Sequence, residues 1–171
     1  MKNEVETSLR QLIGLPLWGA GRAADLQWFQ FGERRDVATR NGGTKSVGTW
    51  ALHILCAWRI RSADRIVVTS SDCYMRADHL SESTEDFNWD EQGANQRDQR
   101  MAIFMADKED TLIVTDVTAD NFGGFCLQLA TGFHLEVFPD VSAEDFEFWR
   151  LFQPSTESSH FVATSSGLED Q

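Results

Sequence analysis

Apolar and polar side chains alternate most regularly over residues 50–60. Every second residue there is large and apolar: Trp50, Leu52, Ile54, Cys56, Trp58 and Ile60. A β-strand sends alternate side chains to opposite faces, so this spacing predicts one continuous strand with one buried face. Burial of that face, at about 1.5–3 kcal/mol per large side chain, makes this segment the best-anchored part of the predicted fold.

Further alternating or β-branched runs predict additional strands. They cover residues 26–31, 65–69, 111–118, 124–130, 133–138 and 160–165. Most of these runs follow one another with only a short turn between them, which is typical of an antiparallel sheet. The polar stretch 33–46 predicts a hairpin loop ahead of residues 50–60, and the glycine-rich stretch 17–24 predicts a tight turn.

Helical spacing is found in three short segments. Residues 5–13 place apolar side chains three and four positions apart, with acids early and an arginine late. Residues 97–105 place two methionines and a phenylalanine along one side. Residues 143–151 follow Ser142, a residue type that caps helix N-termini, and they begin with acids. We therefore predict two or three helices.

Together these elements predict a single α+β domain over residues 1–171. Its antiparallel sheet has about six or seven strands with the helices packed on it, and a partly closed barrel is the alternative arrangement. Within this domain we expect an N-terminal helix over residues 1–14, a long acidic loop over residues 70–95 and a polar tail over residues 166–171. A chain of this length can bury a sizeable core without disulfides.

Cysteine usage and hydropathy predict the compartment. The three cysteines, Cys56, Cys73 and Cys126, are far apart and show no C-x-x-C spacing, so we expect reduced thiols. The first residues lack the apolar core of a signal peptide, and no run approaches 18 apolar residues. We therefore expect a cytoplasmic protein that does not cross a membrane.

A formal net charge of −12 narrows the classes of partner. Nucleic-acid affinity comes largely from lysine and arginine side chains that release counterions, so we do not expect nucleic acid as a partner. An acidic surface either favours a basic protein partner or serves solubility alone. A homo-oligomer is compatible with these features, which neither predict nor exclude it.

The acidic charge is concentrated in one segment. Between Arg76 and Arg97 there is no lysine or arginine, whereas six carboxylates alternate with leucine and aromatic residues. Disordered segments mostly lack aromatic residues, so we expect this segment to dock on its own domain or on a partner. The partner-binding residues predicted on this basis are Glu82, Glu85, Asp86, Phe87, Trp89, Asp90 and Glu91.

A second kind of site is indicated by basic residues on the predicted strands. His53, Arg59 and His134 form a candidate ligand face. The histidine and cysteine spacings fit no metal site, which needs three or four ligands in tight geometry, so we expect neither a metal nor a cofactor. Cys73 lies six residues from His79, but the carboxylates that follow disfavour a thiolate, so no catalytic residue is predicted.

Three aromatic phrases resemble those of small bacterial proteins without an assigned activity. They are LHILCAWRI at residues 52–60, FHLEVFP at residues 133–139 and FWRLF at residues 148–152. The compact, acidic α+β character is also similar to that of immunity proteins, which neutralise bacterial toxins. No activity follows from either resemblance, since fold does not imply function.

Two functions are compatible with these features. The favoured one is a non-enzymatic, cytoplasmic protein-binding domain of the toxin-immunity kind, which meets a basic protein through its acidic segment. The alternative is a small-molecule-binding protein or an enzyme that uses the face of His53, Arg59 and His134.

Overall fold

The computed structural model describes residues 1–39, 41–77, 87–106, 108 and 110–170 of the chain. Two α-helices are found in this part, α1 (Lys2–Leu9) and α2 (Gln96–Met105), together with two short 3-10 helices, Arg10–Leu12 and Ser70–Tyr74. The strands are β1 (Leu17–Ala23), β2 (Leu26–Phe31), β3 (Arg35–Ala38), β4 (Thr44–Val47), β5 (Trp50–Ile54), β6 (Ala57–Arg61), β7 (Ile66–Thr69), β8 (Val114–Ala119), β9 (Phe125–Leu129), β10 (His134–Phe138), β11 (Glu147–Phe152), β12 (Phe161–Thr164) and β13 (Gly167–Asp170).

The strands pair in antiparallel fashion and form two large sheets and one separate hairpin. The six-stranded sheet has the order β1-β2-β5-β11-β12-β13, the five-stranded sheet has the order β7-β6-β10-β9-β8, and β3 pairs with β4. Edge-to-face rings join the sheets: the centroids of Phe29 and Trp58 are 5.8 Å apart, and those of Phe125 and Trp149 are 5.2 Å apart. The sheets therefore pack face to face around one shared hydrophobic core.

The predicted strand over residues 50–60 is divided between the two sheets. β5 belongs to the six-stranded sheet and β6 to the five-stranded sheet. At the crossing, the backbone N–H groups of Leu55 and Cys56 both donate to the carbonyl of Phe148, at 2.8 and 3.3 Å. The six alternating side chains are nevertheless all buried, because both sheets turn this face toward the same core. The prediction of one buried face is confirmed, and the prediction of one continuous strand is wrong.

The arrangement of the sheets differs from the expected one in two respects. An antiparallel, sheet-rich α+β fold is confirmed, but its strands form two sheets rather than one sheet of six or seven strands. The partly closed barrel is wrong as well, since neither sheet closes on itself in the described part of the chain. One isolated bridge, between Pro16 and Ile113, joins the segments that precede β1 and β8.

The helix predicted over residues 143–151 is wrong, because Glu147–Phe152 forms β11 between β5 and β12. Phe148, Trp149 and Leu151 of this strand are buried in the core. Aromatic and large apolar side chains fit a pleated surface that is covered on one face. Burial of these side chains outweighs the helix-start signal of the residues before them, since local propensity is a weak preference.

Three stretches predicted as irregular contain strands. Residues 17–24 include β1, and glycine is required there because a Cβ on Gly21 would lie 2.2 Å from the ring of Trp28. The predicted polar tail 166–171 includes β13, which pairs with β12. The predicted loop 33–46 includes the β3–β4 hairpin. In each case a neighbouring strand satisfies the backbone hydrogen bonds, and composition alone does not reveal that neighbour.

The α2 helix packs against one edge strand of each large sheet. It contacts β1, an edge of the six-stranded sheet, and β7, an edge of the five-stranded sheet, as well as the 3-10 helix Ser70–Tyr74. Its N-cap is Asn95, whose side-chain oxygen accepts the backbone N–H of Asp98 at 2.9 Å. The C-terminal end of the acidic loop is therefore fixed against both sheets.

Candidate functional site

The two ends of the acidic loop are fastened side by side at the start of α2. The backbone N–H of Ala77 donates to the carbonyl of Ala94 at 2.9 Å, and that of Gln96 donates to the carbonyl of Met75 at 2.8 Å. The described segments on either side of residues 78–86 are therefore held together at one place.

Arg22, on β1, holds the returning end of the loop. Its side chain is 2% exposed and donates to both carboxylate oxygens of Asp98, at 2.7 Å from Nε and 2.9 Å from Nη2. Nη1 also donates to Oδ1 of Asp90 at 3.0 Å, and Nη2 donates to the backbone carbonyls of Asp90 and Glu91 at 3.1 and 3.0 Å. A planar guanidinium suits this fork of acceptors, so Arg22 clamps residues 90–91 to the body of the protein.

The electrostatics of the clamp favour the charged forms of both partners. The hydrogen bond to Asp98 raises the pKa of Arg22 above its ordinary value. Burial by itself would raise the pKa of Asp98, but hydrogen bonds from Arg22 and from the backbone N–H of Gly93 outweigh burial and lower that pKa. The clamp is therefore an ion pair at neutral pH.

Exposed apolar side chains lie next to the clamped turn. Tyr74 is 62% exposed and Met75 is 56% exposed, and the Tyr74 ring lies 5.6 Å from the half-buried ring of Trp89. Asp90 and Glu91 are exposed beside Trp89. We call Tyr74, Met75, Trp89, Asp90 and Glu91 the aromatic-acidic patch.

The structure describes four of the seven predicted partner-binding residues. Phe87, Trp89, Asp90 and Glu91 are described, and the last three belong to the patch; Glu82, Glu85 and Asp86 lie outside the described residues. Sequence reasoning missed Tyr74 and Met75, because they follow the buried Cys73 and no regular pattern there distinguishes exposed from buried apolar positions.

The structure does not bring the predicted ligand face together. His53 lies on β5 in the six-stranded sheet, whereas Arg59 and His134 lie on β6 and β10 in the five-stranded sheet. The strand break at residues 55–56 causes this separation. Arg59 is 2.5 Å from a carboxylate oxygen of Glu136, so its charge already has a partner.

Burial suppresses ionisation of other side chains that could take part in catalysis. Burial lowers the pKa of His53, with a further contribution from the charge of Arg150. Burial raises the pKa of the Cys73 thiol, and it raises the pKa of Cys56 to about 12. These thiols stay protonated at neutral pH, which disfavours nucleophilic chemistry at either one. His79, which the sequence paired with Cys73, lies outside the described residues.

Two features that other classes of function need are absent from the described part of the chain. It holds no group of three or more histidine, cysteine, aspartate or glutamate side chains arranged to hold a metal ion. None of its helices has the length and apolar character needed to cross a membrane.

No protein family, curated protein or solved structure matches this chain. The functional argument therefore depends on the geometry of the site and on the charge of the chain.

Proposed function

We propose that the protein is a non-enzymatic binding domain whose aromatic-acidic patch recognises a basic protein. The observation that carries this proposal is the exposure of Tyr74 and Met75 beside the carboxylates of Asp90 and Glu91. Tyrosine, tryptophan and methionine are enriched at the centres of protein interfaces. The proposed partner presents apolar side chains to Tyr74 and Met75, and it presents lysine or arginine to the acidic rim.

The rigid hold on the loop supports a binding role. Arg22 and Asn95 fix the backbone of Trp89, Asp90 and Glu91 through hydrogen bonds to their carbonyls, including one of 2.8 Å from Asn95 to Trp89. A surface that is already ordered loses less conformational freedom on binding, which favours affinity.

The charge of the chain supports a basic partner over a second copy of the chain. A net charge of −12 speeds encounter with a cationic protein, whereas two copies joined through this patch would bring acidic side chains together. We extend the proposal to a basic toxin that the protein neutralises in the bacterial cytoplasm, a partner whose charge complements that of the chain. A gene for a basic secreted toxin beside this one would supply the partner for direct tests.

The test is a binding comparison with variants of exposed residues. The Tyr74→Ala/Met75→Ala double variant removes the apolar centre, and Phe122→Ala is the matched control because Phe122 is 77% exposed at another site. Basic proteins captured from native lysate by wild type but not by the double variant are purified, and their affinity is measured by calorimetry at several salt concentrations. We expect the double variant to weaken binding at least about tenfold, as removal of interface anchors does.

The charge contribution is tested separately. Glu91→Gln should weaken binding at low salt and have little effect at high salt, because screening removes the attraction. Glu144→Gln, another exposed carboxylate, is the control. Equal affinity of wild type and the double variant, at unchanged melting temperature, would exclude the patch as the binding surface.

A further inference from the structure

A cleft of about 380 Å³ lies between α2 and β7, the edge strand of the five-stranded sheet. This volume falls within the range of about 300–1,000 Å³ that is typical of small-molecule sites. The cleft shares no residue with the aromatic-acidic patch. It therefore belongs to a part of the surface that the proposed function does not use.

The cleft has an accessible apolar surface on both sides. Ile66 of β7 is 51% exposed and Ile103 of α2 is 72% exposed, and the half-buried Phe133 also lines the cleft. The ring of Phe133 meets the buried ring of Phe104 edge to face, at 5.1 Å between centroids, which anchors this side of the cleft in the core. An apolar chain laid over these side chains would remove them from water, and that transfer is favourable.

Three cations, Arg65, Arg100 and Lys108, line the same cleft, and no described carboxylate lines it. Arg65 and Arg100 are exposed, and the amine of Lys108 lies 5.8 Å from the centroid of the Phe104 ring. Neither Arg65 nor Lys108 is within ion-pair distance of a carboxylate in the described part of the chain. These two charges can therefore pair with an anion from solution without breaking an existing ion pair.

Carboxylates close to these cations do not line the cleft. Asp72 lies 3.8 Å from Arg100, and Asp64 and Asp110 are exposed near Arg65 and Lys108 in the chain. None of the three is part of the lining. Water and salt screen the charges of exposed carboxylates, whereas a charge next to apolar surface is screened less. An anion inside the cleft therefore meets mainly the cations.

The net charge of −12 limits the size of the anion. A polyanionic partner, such as an acidic protein or an anionic membrane, would extend beyond the three cations and meet the acidic remainder of the surface. A small monoanion lies within reach of the cations alone. The volume of the cleft and the charge of the chain thus both favour a small molecule over a macromolecule.

We propose that this cleft binds a small amphiphilic carboxylate, a medium-chain fatty acid in its simplest form. Its apolar chain lies over Ile66 and Ile103, and its head group pairs with one of the three cations of the lining. The site is distinct from the aromatic-acidic patch, so its ligand and the basic protein partner are independent of each other.

The test uses octanoate and octanamide as probes of the folded, full-length protein. Octanamide keeps the chain of octanoate without its charge. Binding is followed by ¹³C–¹H NMR of the isoleucine δ1-methyl groups, with Ile66 and Ile103 assigned through Ile66→Val and Ile103→Val. We expect saturable shifts of these two methyl groups and none of Ile13, which is exposed at another site.

Two comparisons of affinity separate charge from chain. Octanoate should bind about fivefold more tightly than octanamide, the upper range for one exposed ion pair. This comparison reports the total field at the cleft, including that of Asp107 and Glu109, which lie outside the described residues. Decanoate should bind at least about threefold more tightly than octanoate, because each added methylene that leaves water contributes up to about fourfold.

Variants of exposed side chains locate the binding. Arg65→Gln/Lys108→Gln should weaken octanoate about fivefold and leave octanamide unchanged. The matched control, Lys2→Gln/Arg10→Gln, changes the net charge equally in the N-terminal segment, which packs against β8 at the opposite edge of the five-stranded sheet. It should bind octanoate as wild type does. Ile103→Ser, followed at Ile66, should weaken octanoate and octanamide by the same factor.

The proposal is overturned if octanoate produces no saturable shift at Ile66 and Ile103, or if octanoate and octanamide bind equally well. Shifts of the two methyl groups on concentration of the ligand-free protein would assign the cleft to a second copy of the chain. Tighter binding of an acidic peptide of glutamate and leucine than of octanoate would assign it to an acidic protein segment. Either of these results would also exclude a small amphiphile as the occupant, and none of these measurements depends on a variant that fails to fold.

Discussion

Arg22 on β1 and Arg97 on α2 are both buried, with 8% and 1% of the whole residue exposed, but their surroundings differ. Arg22 contacts two carboxylates and the carbonyls of the clamped turn. Arg97 contacts two backbone carbonyls, retains a donor without an acceptor and, among the described residues, has no ion-pair partner. Burial therefore lowers the pKa of Arg97, whereas the hydrogen bond to Asp98 raises the pKa of Arg22.

The difference separates an arginine that is paired with carboxylates from one that is bonded to backbone carbonyls alone. A buried guanidinium with matched carboxylates holds its surroundings in place, and removal of one partner leaves a buried charge behind. A buried guanidinium without a carboxylate adds less to the free energy of unfolding than a paired one does. Its contribution to stability therefore explains its presence less well. Burial lowers the pKa of such an arginine because no carboxylate offsets the loss of water around its charge.

The largest effect is expected from Arg22→Met. The substitution removes the counter-charge of Asp98, which keeps only neutral donors such as the backbone N–H of Gly93, and it removes a donor from the carbonyls of residues 90–91. We therefore expect a loss of about 3–5 kcal/mol in the free energy of unfolding, measured by urea denaturation. Hydrogen exchange at residues 89–93 should accelerate at the same time, because the turn loses its clamp.

A partial rescue would support this assignment. The Arg22→Met/Asp98→Asn double variant removes the charges of Arg22 and Asp98, and it should recover part of the lost stability because the carboxylate that still lacks its donor, Asp90, is 54% exposed and hydrated. A loss below about 1 kcal/mol for Arg22→Met would show that the clamp is not a structural element, since such values are typical of exposed pairs.

The sequence predicts the strands more accurately than their arrangement. Alternation over residues 50–60 defines which side chains are buried, and the structure confirms it. The same alternation cannot show that the chain changes sheets at residues 55–56, because the period describes one face and not the partner strand. No glycine or proline marks that crossing. For the same reason, the sequence does not show that His53 and Arg59 lie in different sheets. It also does not show that the strands form two sheets rather than one.

The candidate sites, too, could be predicted from the sequence only in part. The run of carboxylates directs attention to Asp90 and Glu91, because charge composition is visible in the sequence. The burial of Arg22 and Arg97 depends on tertiary packing, so charge composition does not reveal it. Local signals do exist: Arg22 is the one charged residue in the stretch 17–24, and Arg97 is spaced four residues before Met101 on the apolar side of α2.

A smaller effect, dependent on pH, is expected from Asp98→Asn. At pH 7 we expect a loss of about 1.5–3 kcal/mol, because hydrogen bonds to a charged group are replaced by neutral ones. The folded-state pKa of Asp98 lies below its ordinary value. Its contribution is therefore complete above about pH 4 and is lost as the pH falls through the depressed value. The difference between wild type and variant should narrow in this acid range, as measured by urea denaturation from pH 7 to pH 2.

Glu144→Gln is the control for the acid series because Glu144 is exposed. Its unfolding free energy should parallel that of wild type at every pH. A constant difference between wild type and Asp98→Asn down to pH 2 would contradict ionisation of Asp98 as the source of the effect.

The smallest effect is expected from Arg97→Met. The substitution removes two hydrogen bonds to carbonyls, but the carbonyl of Ala24 keeps a bond of 3.3 Å from Arg22, and a buried cation without a carboxylate is removed with them. We expect a loss of about 1–2 kcal/mol in the free energy of unfolding, less than for Arg22→Met, since the bonds lost are partly offset by the charge no longer buried. Urea denaturation of the two variants side by side measures this difference. An equal or larger loss for Arg97→Met would make Arg97 a structural clamp like Arg22, and the contrast between the two arginines would disappear.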